Sequence, residues 1–288
     1  MLTDASSPSA FHNAGHQLDL PNNCYSSSQA AVLDRIKGWI SDDMVPVMWL
    51  YGAAGVGKSS VARSISVWCE RERLLLASFF FSRSDPSRNN GHRFIPTLAY
   101  SIVQSIPESR HLIEQAVDSD PHIFSRSLDA QISHLILRPL LTVTQNATGH
   151  AFPHVLVIDG LDECQNETAQ KEIVRLFGSI LSSWNLRWKV LITSRPEQAI
   201  RMSFADEPMQ CLSTRIALGD GFFPESNPPI PDSKTQPGFI HTLRKYIRPR
   251  NPKIPKPTSI VPEPTYAPQN FPTRFDIPLA RDDLLGVR

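Results

Sequence analysis

A run of eight residues, 52–59, constrains most strongly what this chain can fold into. Its sequence, GAAGVGKS, follows the pattern G-x-x-x-x-G-K-S, and it lies between an apolar stretch (45–51) and a stretch with helical periodicity (60–70). A strand, a glycine-rich loop and a helix in this order wrap backbone N–H groups around the phosphates of a nucleoside triphosphate. The pattern therefore predicts a phosphate-binding loop (the P-loop) within an α/β fold.

The residue types in the P-loop suit the chemistry of phosphate binding. Glycine lets the backbone approach phosphate oxygens that a Cβ would obstruct, and the helix that follows directs its N-terminal dipole at the same negative charge. We expect Lys58 to reach the β- and γ-phosphates and the Ser59 hydroxyl to bind Mg²⁺. The alternative is a glycine-rich turn that contains a lysine by chance, which the flanking strand and helix disfavour. The predicted nucleotide contacts are Gly52, Ala53, Ala54, Gly55, Val56, Gly57, Lys58, Ser59 and Ser60.

The composition narrows the class of protein. Hydrophobic residues make up 41% of the 288, enough for a sizeable core, and the net charge of +1 gives no indication of a nucleic-acid or membrane partner. The four cysteines form no C-x-x-C pair, which suits a reducing compartment. The first residues lack the positive and apolar regions of a signal peptide, and the apolar run 74–81 is too short to span a bilayer. We therefore expect a cytoplasmic, globular protein.

Hydrophobic patterning predicts a mainly parallel sheet of five strands with helices on both faces. Buried strands that alternate with helices are typical of this three-layer α/β architecture. The polar residues 1–25 are expected to be disordered, residues 26–220 to form the P-loop domain, and residues 221–288 to form a disordered tail. Fourteen of the 25 prolines fall in 224–288, where no periodic apolar pattern could offset the entropy of ordering. The predicted strands are 45–51, 74–82, 153–159, 188–193 and 209–218, and the predicted helices include 26–40, 60–70, 94–106, 108–118, 128–144 and 168–184.

An acidic run follows the third predicted strand, in the sequence HVLVIDGLDEC. We expect Asp159, at the tip of the strand, to supply a carboxylate to Mg²⁺ opposite Ser59. Asp162 and Glu163 are candidates for orienting or deprotonating the attacking water, with Glu163 favoured as the base and Asp162 as its partner. The alternative is an acidic turn that merely caps the strand.

The fourth predicted strand ends in the sequence TSRPE. Where a further strand lies between the P-loop strand and the acidic strand, this tip faces the γ-phosphate. Arg195 is therefore a candidate sensor of that phosphate, with a charge that does not titrate. The alternative is a solvated arginine in a surface loop.

Together the three motifs GAAGVGKS, VLVIDGLDEC and VLITSRPE resemble the NACHT family of signal-transduction (STAND) ATPases, and in particular its nephrocystin-type N-terminal subgroup. Residues 79–83, 88–90 and 96–100 also fit that subgroup, and the resemblance covers about residues 20–220. It implies a three-layer nucleotide-binding domain that uses ATP, or alternatively GTP, together with Mg²⁺. It also implies oligomerisation controlled by the nucleotide.

Two departures from the family pattern concern the ends of the resemblance. Residues 25–28, YSSS, stand where relatives usually carry a Gly-Thr-Arg-like run that lines the nucleotide base. Relatives also continue into a helical and winged-helix module, whereas the match here dissolves near residue 226.

The leading hypothesis is a Mg²⁺-dependent nucleoside-triphosphate-binding signalling switch with slow hydrolysis. The alternative is an interaction protein that binds nucleotide without hydrolysing it, or acts purely as a scaffold. A GTPase or small-molecule kinase is disfavoured because the chain has no N-K-x-D run and because D-G-L-D-E does not suit a kinase. The absence of L-S-G-G-Q argues against a transporter ATPase, and the absence of H-E-x-x-H against a metalloprotease.

Overall fold

The computed structural model describes residues 1–14, 27–42, 45–146, 152–184 and 186–219. Its centre is a sheet of five strands in the order β2-β3-β4-β1-β5. Every neighbouring pair in the sheet is parallel, which confirms the predicted α/β class. The strands are β1 (Val47–Tyr51), β2 (Leu75–Phe80), β3 (Val155–Asp159), β4 (Lys189–Ser194) and β5 (Ser213–Ala217).

Strand β4 lies between the P-loop strand β1 and the acidic strand β3. Its register places Leu191 beside both Met48 and Val157. Since all three strands run in the same direction, their carboxyl ends meet at one edge of the sheet, where parallel sheets bind ligands. The tip of β4 therefore lies between the P-loop and the end of β3, as the position expected for Arg195 requires.

Helices cover both faces of the sheet, because its strands are buried on both sides. One face packs against α2 and α3, through residues such as Ile36 and Ile65, while α4 and α8 contribute Leu98 and Phe177 to the core on the other face. The longer helices are α2 (Ser27–Ser41), α3 (Lys58–Arg71), α4 (Phe94–Ser105), α5 (Arg110–Ser119), α7 (Arg138–Asn146), α8 (Glu167–Ser183) and α9 (Gln198–Ala205). The shorter ones are α1 (Leu2–Ala5), α6 (Leu128–Ile132) and α10 (Met209–Leu212).

Two elements differ locally from the patterning. The predicted helix 128–144 is α6 and α7 joined through a π-helical segment, Ser133–Leu137. The predicted fifth strand begins later than expected, because residues 209–212 form the helical turn α10 before β5. Met209 is buried beneath α8 rather than in the sheet, since Gly178 of that helix leaves room for its side chain.

Residues 1–14, which we expected to be disordered, pack on the edge of the sheet beside β2. Besides the short helix α1 and a 3-10 turn at Pro8–Ala10, hydrogen bonds with side chains distant in sequence hold this segment. The Ser7 N–H donates to Thr97 Oγ1 at 2.9 Å, and the Arg93 guanidinium donates to the carbonyls of Asp4 and Ser6. Ala10 is fully buried. Polarity alone was therefore a poor guide to disorder in this segment. The remaining expected disorder, 15–25 and 221–288, lies outside the described residues.

Candidate functional site

The P-loop connects β1 to α3, and its lysine is the first residue of that helix. Gly57, the N-cap, has a φ of 97°, in the left-handed region that favours glycine. A Cβ at this position would also lie 2.3 Å from Gln29 Nε2 of α2. The turn therefore favours glycine at position 57, whereas the flexible end of the Gln29 side chain could move aside.

The Lys58 ammonium lies over the P-loop, where we expect the phosphates to bind. Its Nζ donates to the carbonyls of Gly52 and Ala53, at 2.9 and 2.7 Å. Burial lowers the pKa of Lys58, while the carboxylates of Asp162 and Asp159 act in the opposite direction. The lysine is therefore a cation that faces the acidic end of β3.

The two predicted metal ligands lie in contact. Asp159, at the end of β3, is only 3% exposed and accepts hydrogen bonds from the hydroxyls of Ser59 and Thr193, the latter at 2.5 Å. Burial raises the pKa of Asp159 in spite of these hydrogen bonds. A hydroxyl and one carboxylate form the kind of protein ligand set that Mg²⁺ uses when phosphates and waters complete its shell. Within the described ranges no group of three or more His, Cys, Asp or Glu side chains could hold a metal ion.

Thr193 was not among the predicted site residues, although it lies in the motif that closes β4. Its hydroxyl donates to Asp159 and accepts the N–H of Gly160 at 3.0 Å. Gly160 has a φ of 68°, so the chain turns sharply straight after the acidic strand. Thr193 therefore fixes both the carboxylate and the turn beside it.

Asp162 and Glu163, adjacent in sequence, have different surroundings. Asp162 is 3% exposed, and its carboxylate accepts the Arg195 N–H at 2.9 Å and contacts the Arg195 Nε at 3.2 Å. Glu163 is partly exposed and accepts the backbone N–H of Arg83 at 3.0 Å. The expected pairing of Asp162 with Glu163 is thus replaced by two separate contacts, one with β4 and one with the end of β2.

Two further arginines border the site, and neither was predicted. Arg83 follows β2, and its guanidinium donates to the Asp162 carbonyl at 3.0 Å. Arg63 lies four residues after Ser59, on the same face of α3; its guanidinium lies 5.5 Å from the Phe80 ring centroid and interacts electrostatically with Asp159. The helical spacing from Ser59 was the sequence signal that could have identified Arg63.

The structure therefore brings the predicted residues to one edge of the sheet. Lys58 interacts electrostatically with the acidic run after β3 and with Arg195. The other predicted contacts, at 53–56 and at Ser60, lie in the loop and at the start of α3. A cavity of about 590 Å³ lies elsewhere, beside the first half of β2 and the ends of α3 and α4. In the described part of the chain, none of the helices is long and apolar enough to cross a bilayer.

Comparison with known families finds a match to the model described as "Nephrocystin 3, N-terminal", over residues 31–195. The matched range includes the P-loop, the acidic run and Arg195. None of the curated protein sequences compared with the chain matches it.

Among solved structures, the chain is similar to parts of larger assemblies and enzymes. The structure of Drosophila ORC bound to GC-rich DNA and Cdc6 matches with a TM-score of 0.41 and 12% identity, over 66% of this chain and 28% of that one. Drosophila ORC bound to DNA gives a TM-score of 0.39 and 14% identity, over 67% and 29%. Pif1 helicase from Candida albicans gives 0.34 and 13%, over 69% and 41%. The chain thus spans less than half the length of each.

Proposed function

Because the chain belongs to the nephrocystin 3 N-terminal family, we propose that it is a Mg²⁺-dependent nucleoside-triphosphate-binding switch with slow hydrolysis. ATP is the nucleotide that the resemblance to NACHT ATPases favours over GTP, and the cytoplasm is the compartment that the composition favours. The observation that carries the proposal is the contact between Ser59 and Asp159 next to the Lys58 ammonium. Two groups that could bind Mg²⁺ and a lysine that could bind phosphate lie at one edge of the sheet, an arrangement that suits a triphosphate and its metal ion.

Each group has a role that follows from its position. The P-loop N–H groups and Lys58 bind the phosphates, and Ser59 and Asp159 hold Mg²⁺, which when bound neutralises charge on the β- and γ-phosphates. Arg195 contacts the γ-phosphate from the tip of β4. Glu163 holds the attacking water, and base catalysis of this kind contributes about 10²- to 10⁴-fold.

Slow turnover suits the surroundings of Glu163. Its carboxylate already accepts the Arg83 N–H through Oε2, so that oxygen is engaged before an attacking water arrives. A switch needs the triphosphate to persist, so that its presence can control self-association. The hydrogen bond between Arg83 and Glu163 also favours the second candidate function, which is nucleotide binding without hydrolysis.

Nucleotide binding is tested with a fluorescent ATP analogue. We expect Lys58→Ala to weaken binding about 100-fold, because charge-assisted contacts to phosphate are lost. Lys171→Ala, which removes an exposed lysine of α8, is the matched control and should bind as the wild type does. Equal affinity in wild type and Lys58→Ala would contradict the proposal.

Hydrolysis is tested by phosphate release under saturating ATP and Mg²⁺. We expect slow release by the wild type and at least a tenfold reduction in Glu163→Gln, since the water loses its base. Binding without release in either protein would support the non-hydrolysing alternative.

A further inference from the structure

Of the two acidic residues after β3, Asp162 and Glu163, the first has both carboxylate oxygens in contact with a single arginine. Both oxygens of Asp162 face Arg195: Oδ1 accepts its backbone N–H at 2.9 Å, and Oδ2 lies 3.2 Å from its Nε. The Asp162 side chain is 4% exposed, while that of Arg195 is 45% exposed. The buried member is therefore anchored, and the exposed member extends from it into the site.

This arrangement leaves the two Nη groups of the Arg195 guanidinium available to a ligand. The guanidinium contacts Asp162 through Nε, and among the described residues neither Nη donates a hydrogen bond. A guanidinium has five N–H donors in a fixed plane, so one edge can be held by a carboxylate while another binds a phosphate oxygen. A lysine has its three donors on a single nitrogen and no rigid plane that would direct one group at Asp162 and another at phosphate.

We propose that Asp162 is a positioning residue that holds Arg195 for the terminal phosphate of the bound nucleotide. The inference rests on the proposed function and divides the acidic pair into two tasks. Glu163, partly exposed and bonded to Arg83 after β2, would bind the attacking water. Asp162, buried and in contact with Arg195 after β4, sets the direction of the phosphate sensor. Asp162 thus links the ends of β3 and β4 at the position where the γ-phosphate would lie.

A comparison within the molecule separates this contact from an ordinary surface ion pair. Asp129 and Arg175 also form a pair, at 3.0 Å, but their side chains are 54% and 62% exposed. Such pairs contribute little, because water and salt screen both charges. The burial of Asp162 makes its contact with Arg195 obligatory, since a buried carboxylate without a partner is costly.

The test measures how strongly the protein prefers a non-hydrolysable ATP analogue over ADP, as the ratio of the two Kd values. We expect Asp162→Asn and Arg195→Ala each to reduce this preference about tenfold, equivalent to about 1.4 kcal/mol, with ADP affinity nearly unchanged. The double variant should lose no more of this preference than Arg195→Ala alone, because both changes remove the same interaction. Asp129→Asn is the matched control and should keep the wild-type preference.

Arg195→Lys is the second variant, since its exposed position tolerates the change without unfolding. It should behave like Arg195→Ala, although it keeps the charge, because lysine has no Nε to contact Asp162. Full preference in Arg195→Lys, or additive losses in the double variant, would overturn the inference.

A measurement without nucleotide keeps the inference distinct from the proposed function. A double-mutant cycle in thermal unfolding should show coupling between Asp162 and Arg195 that is absent between Asp129 and Arg195. Coupling in a protein that binds no nucleotide would refute the proposed function and leave the contact standing. No coupling would refute the positioning role, whatever the nucleotide affinity.

Discussion

Two aspartates in different regions of the molecule show opposite electrostatic behaviour. Asp159 lies at the candidate nucleotide site, and burial raises its pKa more than its hydrogen bonds from Thr193 and Ser59 lower it. Asp85 lies in the loop that anchors residues 1–14. Burial would raise its pKa as well, but hydrogen bonds from Ser87, Ser9 and Arg88 outweigh that effect and hold the pKa well below its usual range.

The contrast fits the proposal that Asp85 stabilises the fold whereas Asp159 binds a ligand. Asp85 accepts enough donors for its charge to be favourable where it lies. Asp159 has fewer donors and is almost fully buried, so a bound Mg²⁺ would add to the compensation of its charge. We therefore propose a structural task for the carboxylate of Asp85 and a cation-binding task for that of Asp159.

The largest expected effect follows from replacing Asp159. Asp159→Asn should weaken Mg²⁺-dependent binding of an ATP analogue about 100-fold, since the metal loses its carboxylate. The melting temperature should stay unchanged or rise, because a buried charge is removed. Titration with and without EDTA, together with a thermal melt, checks both. A large fall in melting temperature would place Asp159 with Asp85 as a structural residue.

A smaller effect is expected at Asp85, and it should depend on pH. Its pKa is lower in the folded chain than in the unfolded one, so its stabilisation is present above about pH 4 and is lost as the pH falls through the folded value. Asp85→Asn should lower the free energy of unfolding by about 1–2 kcal/mol at pH 7 and by less at pH 3.

Urea unfolding at the two pH values measures the Asp85 effect, with the exposed Asp129→Asn as the control. Nucleotide affinity should be the same as in the wild type, in contrast to Asp159→Asn. A loss of stability of equal size at both pH values would show that the charge of Asp85 is not what matters.

The smallest expected effect concerns Ser9, one donor among several to Asp85. Ser9→Ala should destabilise the protein by about 0.5–1 kcal/mol, because the remaining donors still hold the carboxylate. Ser119→Ala removes an exposed hydroxyl that bonds only within its own helix, and should be neutral. If Ser9→Ala costs as much as Asp85→Asn, the segment 1–14 depends on that single hydroxyl.

Much of the fold was predictable because long apolar runs between turn signals leave few alternatives. Strands β1 to β4 begin and end within two residues of their predicted bounds. The N-terminal segment was not predictable in the same way. Its order depends on hydrogen bonds with two residues that are distant in sequence, Arg93, which donates, and Thr97, which accepts, and hydrophobic patterning does not detect such contacts.

The sequence predicted where in the sheet the candidate site lies, but not the contacts between its side chains. Because the carboxyl ends of parallel strands share an edge, the motifs were expected to converge there. The contacts between them depend on the register of β3 against β4, which pairs Ile158 with Ile192, and on the tight turn Leu161–Glu163. That turn buries Asp162 and leaves Glu163 accessible. The sequence, in which the two acidic residues are adjacent, does not reveal this difference.

The strand order also has a consequence for biosynthesis. Both neighbours of β1 in the sheet are the last two strands of the domain, β4 and β5. During translation the P-loop leaves the ribosome early, but its strand has no partner until Lys189 and the residues after it have been made. A nascent chain therefore carries the complete glycine-rich motif long before the strand that precedes it is paired, and the proposed nucleotide binding would begin only once β4 and β5 have been made.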